Sequence, residues 1–138
     1  TWYLFYTGSS LDAGGKNVQR IGYATSPDLL TWTRAPGPVA SAEAPWYETL
    51  ETGDWHDEAF RDSWVFLDPV IGHAWSPDLR SWELRPPLSA PSEHGFGQLE
   101  VTQVEVIDGR PVLIFSCGRE HAMPSRAGEP GGGGTWAI

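Results

Sequence analysis

The chain has 138 residues, 40% of them apolar and 12% aromatic, and nowhere does an apolar run approach the roughly 20 residues that cross a bilayer as a helix. Eighteen acidic against nine basic side chains leave a net charge of −9, which repels nucleic acid and anionic membrane surfaces and favours neutral ligands. The single cysteine, Cys117, excludes a disulfide framework or a cysteine metal site and fits either redox compartment, so localisation stays open.

Taken in order, the first segment is Trp2 to Gly8 (WYLFYTG), rich in the aromatic residues that strands favour. A half-buried strand from Gln19 to Thr25 follows and runs into Ser26-Pro27-Asp28-Leu29. There proline fixes φ and the Asp side chain can accept nearby backbone amides, so a turn is predicted. An outer strand should then begin at Trp32. The block Ile21 to Pro38 (IGYATSPDLLTWTRAPGP) returns fifty residues on as Ile71 to Leu88 (IGHAWSPDLRSWELRPPL), so a strand from Val70 to Trp75, a turn at Ser76 to Leu79 and an outer strand at Trp82 are its second copy. Because Asp28, Asp78, Trp32 and Trp82 recur with the repeat, they read as turn formers and packing residues.

Further inner-strand candidates are Trp64 to Leu67 (WVFL) and Pro111 to Cys117 (PVLIFSC); Gly131 to Ile138 (GGGGTWAI) reads as a glycine turn and the start of one more strand. Sixteen glycines and twelve prolines punctuate these runs, and no stretch sustains a helical period. The fold class is therefore all-β. A repeat of about 50 residues with aromatic-rich strands points to propeller blades, of which the chain would hold about two to three, fewer than a closed propeller needs. Both ends read as cut, so residues 1–138 are expected to be an incomplete propeller domain whose exposed strand edges favour self-association.

Chemistry concentrates in two places. Asp54 to Asp62 (DWHDEAFRD) sets Asp54, Asp57, Glu58 and Asp62 beside Trp55, His56, Phe60 and Arg61, just before a strand; by itself this composition also suits a solvated acidic loop. In Gly95 to Glu105 (GFGQLEVTQVE), Glu100 interrupts a strand-like alternation. That alternation would set Leu99, Val101 and Gln103 on one face and Glu100, Thr102 and Val104 on the other. Such small and apolar neighbours would raise the pKa of Glu100, as suits a general acid. His56, His73, His94 and His121 lack metal-ligand spacing, so neither a metal nor a cofactor is expected.

The order of Phe60-Arg61-Asp62, a Ser-Pro-Asp-Leu-x-x-Trp blade and Gly97-Gln98-Leu99-Glu100-Val101 resembles glycoside hydrolase family 32, the invertase and levanase type. These are five-bladed propellers with relatives in family 43. The resemblance implies a carbohydrate substrate and a retaining mechanism on fructosyl bonds. Carried over by motif, Asp62 is the transition-state stabiliser with Arg61 beside it, Glu100 is the acid/base, and Gln98 contacts substrate. Trp55 and Phe96 flank the acidic motifs as candidate walls of the sugar subsites. The family's Arg-Asp-Pro reads Arg61-Asp62-Ser63 here, and its N-terminal aspartate nucleophile has no counterpart before Trp2, so the chain alone is not expected to turn over substrate. A family-43-like arabinosidase or xylosidase is the alternative among enzymes. Outside enzymes, the alternatives are a non-catalytic carbohydrate-binding propeller or a kelch-like structural repeat. The Gly14-Gly15 doublet does not recur fifty residues on, which argues against kelch.

Overall fold

A computed structural model describes residues 1–63, 74–86, 95–96, 99–121 and 133–138. The protein is all-β, built of small antiparallel sheets, with, among the described residues, one 3-10 turn at Arg119–His121. Among the described residues no helix is long and apolar enough to cross a membrane. The described residues fall into two compact units, 1–63 with 74–86, and 95–96 with 99–121 and 133–138. The expected strand at Trp64 to Leu67 and the start of the one at Val70 lie outside the described residues.

In the first unit β1 (Trp2–Leu11) pairs antiparallel with β2 (Asn17–Ser26) over its whole length, from Trp2 opposite Ser26 to Leu11 opposite Asn17. The hairpin closes because Asp12 Oδ1 accepts the amides of Gly14 and Lys16, both at 2.8 Å, while Gly15 takes the left-handed φ of 80° that a side chain would resist. On the far edge of β2 lie β3 (Thr33–Arg34) and β4 (Ala40–Ser41). Outer strands expected from Trp32 and Trp82 are present but only two residues long each, Thr33–Arg34 and β6 (Glu83–Leu84), the latter paired with β5 (Ala74–Trp75).

The two Ser-Pro-Asp-Leu segments fold into the same object. Ser26 Oγ accepts the amides of Asp28 and Leu29, and Asp28 Oδ1 accepts those of Leu30 and Thr31. Fifty residues on, Ser76 Oγ accepts from Asp78 and Leu79, and Asp78 Oδ1 accepts from Arg80 and Ser81. Leu29 and Leu79 both take left-handed backbone, at φ 65° and 62°, a conformation that disfavours a branched L side chain and persists because four local hydrogen bonds enforce it. Ser26 differs from Ser76 in being fully buried. Ser26→Ala should therefore empty a buried site and remove the acceptor of two amides, lowering stability by about 1 kcal/mol, whereas Ser76→Ala should lower it less; urea unfolding midpoints of the two variants test the ranking.

Both turn aspartates have depressed pKa values. Amides donated by Thr31 and then Leu30, with the Ser26 hydroxyl, hold Asp28 below 3.8. Those of Ser81 and then Arg80, with the Ser81 hydroxyl, bring Asp78 to about 2. A carboxylate whose pKa is lower folded than unfolded contributes stability that is present above the unfolded value and lost as pH falls through the folded one. The thermal midpoint should thus decline between about pH 4 and pH 2, and Asp78→Asn, which keeps an acceptor oxygen, should flatten that decline.

One face of the β1–β2 sheet is aromatic. Tyr3, Phe5 and Tyr23 pack together with centroids 5.8 to 6.4 Å apart, and Trp82 from the second repeat meets Phe5 edge-on at 5.5 Å. Tyr47, whose hydroxyl donates to Arg85 O at 3.0 Å and whose pKa burial pushes up, adds a second tie between the first 63 residues and the second repeat. In the second unit, β7 (Glu100–Ile107), β8 (Arg110–Cys117) and β9 (Gly134–Ala137) form a three-stranded antiparallel sheet. Its hairpin turns at Asp108-Gly109, both in left-handed backbone, the pairing that matches strand twist best. Phe96, Phe115 and Cys117 are its buried core, covered by Leu99, Leu113 and Trp136.

Candidate active site

The segment carrying Asp54 to Asp62 is tied to the β1–β2 sheet. Glu58 N donates to Asn17 O at 2.9 Å, Gln19 N donates to Glu58 O at 3.0 Å, and the Asp57 carboxylate accepts the Asn17 amide at 2.9 Å. The Glu58 carboxylate accepts Leu50 N at 3.2 Å, and Phe60 meets Tyr47 edge-on at 5.3 Å. Two of the acidic residues, Asp57 and Glu58, are thereby acceptors for backbone amides, a structural duty. Asp54 is exposed.

Asp62 stands apart from these. Its amide donates to Thr7 Oγ1 at 3.2 Å, fixing it beside β1, and its backbone is left-handed at φ 59°. Aspartate tolerates this conformation better than most residues, yet it is a sparsely populated one. The carboxylate is 40% exposed and Arg61 Nε lies 3.5 Å from Oδ2, while Arg61 Nη1 donates to Gln19 Oε1 at 3.4 Å. Acceptor and donor are thus presented side by side, partly open to solvent. The sequence lacks the proline that would stiffen the next position; Thr7 and Gln19 supply constraint instead. Neither was singled out in the sequence, because the Thr7 link spans 55 residues and no local pattern announces it.

Glu100 opens β7, half-buried and in register with Ser116 on β8. The ladder then slips: pairing resumes only at Gln103 opposite Ile114, and Val101 takes φ 52°. This β-bulge corrects the expected alternation. Leu99 covers the Phe96–Phe115 core, but Val101, assigned to the same face, is 56% exposed because the extra residue turns it outward.

The remaining candidates divide. Trp55 is 56% exposed, its ring leaning on His56 at 4.7 Å, so its indole is open to a ligand. Phe96 is 3% exposed, edge-on to Phe115 at 4.9 Å and 5.0 Å from Trp136. That ring belongs to the core of the second unit, and the role of sugar wall expected of it is corrected to packing: buried against Phe115 and Trp136, it offers no exposed surface to a sugar. Gln98 lies outside the described residues. Asp62, Arg61 and Trp55 belong to the first unit, and Glu100 to the second. Among the described residues no three His, Cys, Asp or Glu side chains gather as a metal-holding group. No protein-family model and no curated protein matches the chain.

Proposed function

We propose that the sheets are blades of a five-bladed β-propeller glycoside hydrolase that cleaves fructosyl bonds of the sucrose and fructan kind with retention of configuration. The observation that carries this reading is the setting of Asp62: a carboxylate in strained backbone, tied to β1 through Thr7 and flanked by an arginine braced on Gln19. Strain of this kind clusters at functional sites, where the surrounding structure holds it. The bulge after Glu100 is a second support, since bulges beside active sites re-aim a side chain. The propeller itself is supported by two copies of one hairpin, closed by one turn, with Trp82 of the second copy packed on Phe5 of the first sheet.

In this reading Glu100 protonates the glycosidic oxygen as the bond to the leaving sugar breaks. Asp62 accepts hydrogen bonds from ring hydroxyls as charge develops at the oxocarbenium-like centre, Arg61 orients that carboxylate, and Trp55 offers an apolar face to the sugar. A third carboxylate, which no motif in the chain identifies, attacks the anomeric carbon to give the covalent intermediate. No cofactor enters.

A carbohydrate-binding propeller without catalysis is the second reading, favoured by the exposed indoles of Trp46, Trp55 and Trp75. Incubating the natural protein with sucrose, inulin and levan, and separately with aryl arabinosides and xylosides, tests both. Fructose release supports the proposal, whereas release of arabinose or xylose moves the site to the family-43 chemistry. Saturable glycan binding with no product favours the second reading, and neither binding nor product sinks both.

A further inference from the structure

The face of the β1–β2 sheet opposite the aromatic one is built differently. Along it Tyr6 stands across from Gly22 and Gly8 across from Arg20, while Arg34 on β3 stands across from Ala24. The two glycines leave a low floor, and the Tyr6 ring leans over one of them so closely that a Cβ at Gly22 would lie 2.9 Å from it. Beyond the edge of β2, Ala35 N donates to Tyr23 O and Val39 N to Ile21 O, so the prolines and Gly37 between those bonds arch off the sheet as a stiff rim. Floor and rim border an open, shallow cleft of about 410 Å³, lined also by Ser9 and Ser10, with room for a sugar-sized molecule.

Charge decides what such a molecule carries. The chain holds twice as many carboxylates as cations, so a pairing partner for any arginine is in ample supply. Yet among the described residues neither Arg20 nor Arg34 is ion-paired with a carboxylate, although both line this cleft. Arg34 is oriented instead by the Tyr6 ring, its Cζ 6.0 Å from the centroid, which leaves the guanidinium donors available. We infer that this cleft, whose lining does not include Asp62, binds a sugar-sized ligand bearing an oxyanion, a carboxylate or a phosphate. The two guanidinium groups grip the oxyanion, and the ring lies on the glycine floor beside Tyr6.

The test is titration of the natural protein with D-glucuronate, glucose 6-phosphate and neutral D-glucose by calorimetry, with amide NMR at Gly8, Ser9, Ser10, Gly22 and Gly37 as the site readout. Saturable binding of an acidic sugar, weakened by added salt and at least about tenfold in Arg34→Gln or Arg20→Gln, is the expected result. Binding of glucuronate alone names a carboxylate ligand and of glucose 6-phosphate alone a phosphate ester. Equal affinity for glucose, salt-independent binding, shifts that miss these amides, or no saturation by any of the three overturns the inference. Should a variant fail to fold, the salt dependence and shift map of the unaltered protein still decide it. Hydrolysis of fructosides plays no part in the readout, so this inference and the proposed activity stand or fall separately.

Discussion

Replacing Phe115 with alanine is expected to unfold the β7–β8–β9 sheet while leaving the β1–β2 hairpin folded. Phe115 is 1% exposed, sits in the C-terminal half of the central strand β8, and meets Phe96 edge-on with Trp136 in register across the ladder. Truncating a buried phenylalanine removes its transfer free energy and leaves a cavity, together about 3–5 kcal/mol. Whole domains are stable by only about 5–15 kcal/mol, so a three-stranded unit with three buried core residues has little left to lose. The aromatic cluster of Tyr3, Phe5, Tyr23 and Trp82 contains none of these side chains. Hydrogen exchange should accordingly show protection lost at Val104, Leu113 and Ile114 and retained at Phe5, Ile21 and Tyr23. Loss of protection in both units at once would mean that they unfold as one.

On the proposed reading, Glu100→Gln in the natural protein is expected to lower kcat/KM on sucrose by about 10²- to 10⁴-fold, the usual contribution of a general acid, equivalent to about 3–5.5 kcal/mol of transition-state stabilisation. Glutamine keeps the shape and accepts hydrogen bonds but has no proton to give the departing oxygen. A fructoside whose leaving group needs no protonation, such as a nitrophenyl one, should recover most of the first step in Glu100→Gln. It should recover none in Asp62→Asn, where the missing interaction is with the sugar itself. Equal losses on both substrates would assign Glu100 a structural role, and undiminished activity would remove it from the site.

Local chemistry was the part of this fold that could be read from the residues. Ser26-Pro27-Asp28-Leu29 and Ser76-Pro77-Asp78-Leu79 hold their own hydrogen bonds, so recurrence of the letters meant recurrence of the turn. The strands expected at Trp2 to Gly8, Gln19 to Thr25 and Pro111 to Cys117 are equally legible and run slightly longer, as Trp2–Leu11, Asn17–Ser26 and Arg110–Cys117, because aromatic and branched residues in short punctuated runs have few other stable arrangements. What failed to show were features decided by partners far along the chain. The bulge at Val101 is set by how β7 meets β8; the apolar rhythm of Leu99 and Val101 does shift phase at Val104, but a one-residue shift alone does not say where the ladder slips. Phe96 beside an acidic motif could have been a sugar wall or a core residue, and only its contact with Phe115 and Trp136 decides. Asp62 was found as a residue type, but its left-handed backbone and its tie to Thr7 depend on an approach of distant segments. Asp108-Gly109, by contrast, is a local hairpin signal, an Asp-Gly pair between two apolar runs.

The twin turns have a consequence for what can be built from this protein. Every amide hydrogen bond to the Ser and Asp side chains that bends the chain there is made within the six residues Ser26 to Thr31 or Ser76 to Ser81, so most of the instruction for the corner travels with those letters. Such a hexapeptide is a transplantable joint: spliced between two strands of an unrelated sheet, it should impose the same change of direction. A lineage that duplicates it can let the flanking strands diverge freely while the geometry of the joint is inherited intact.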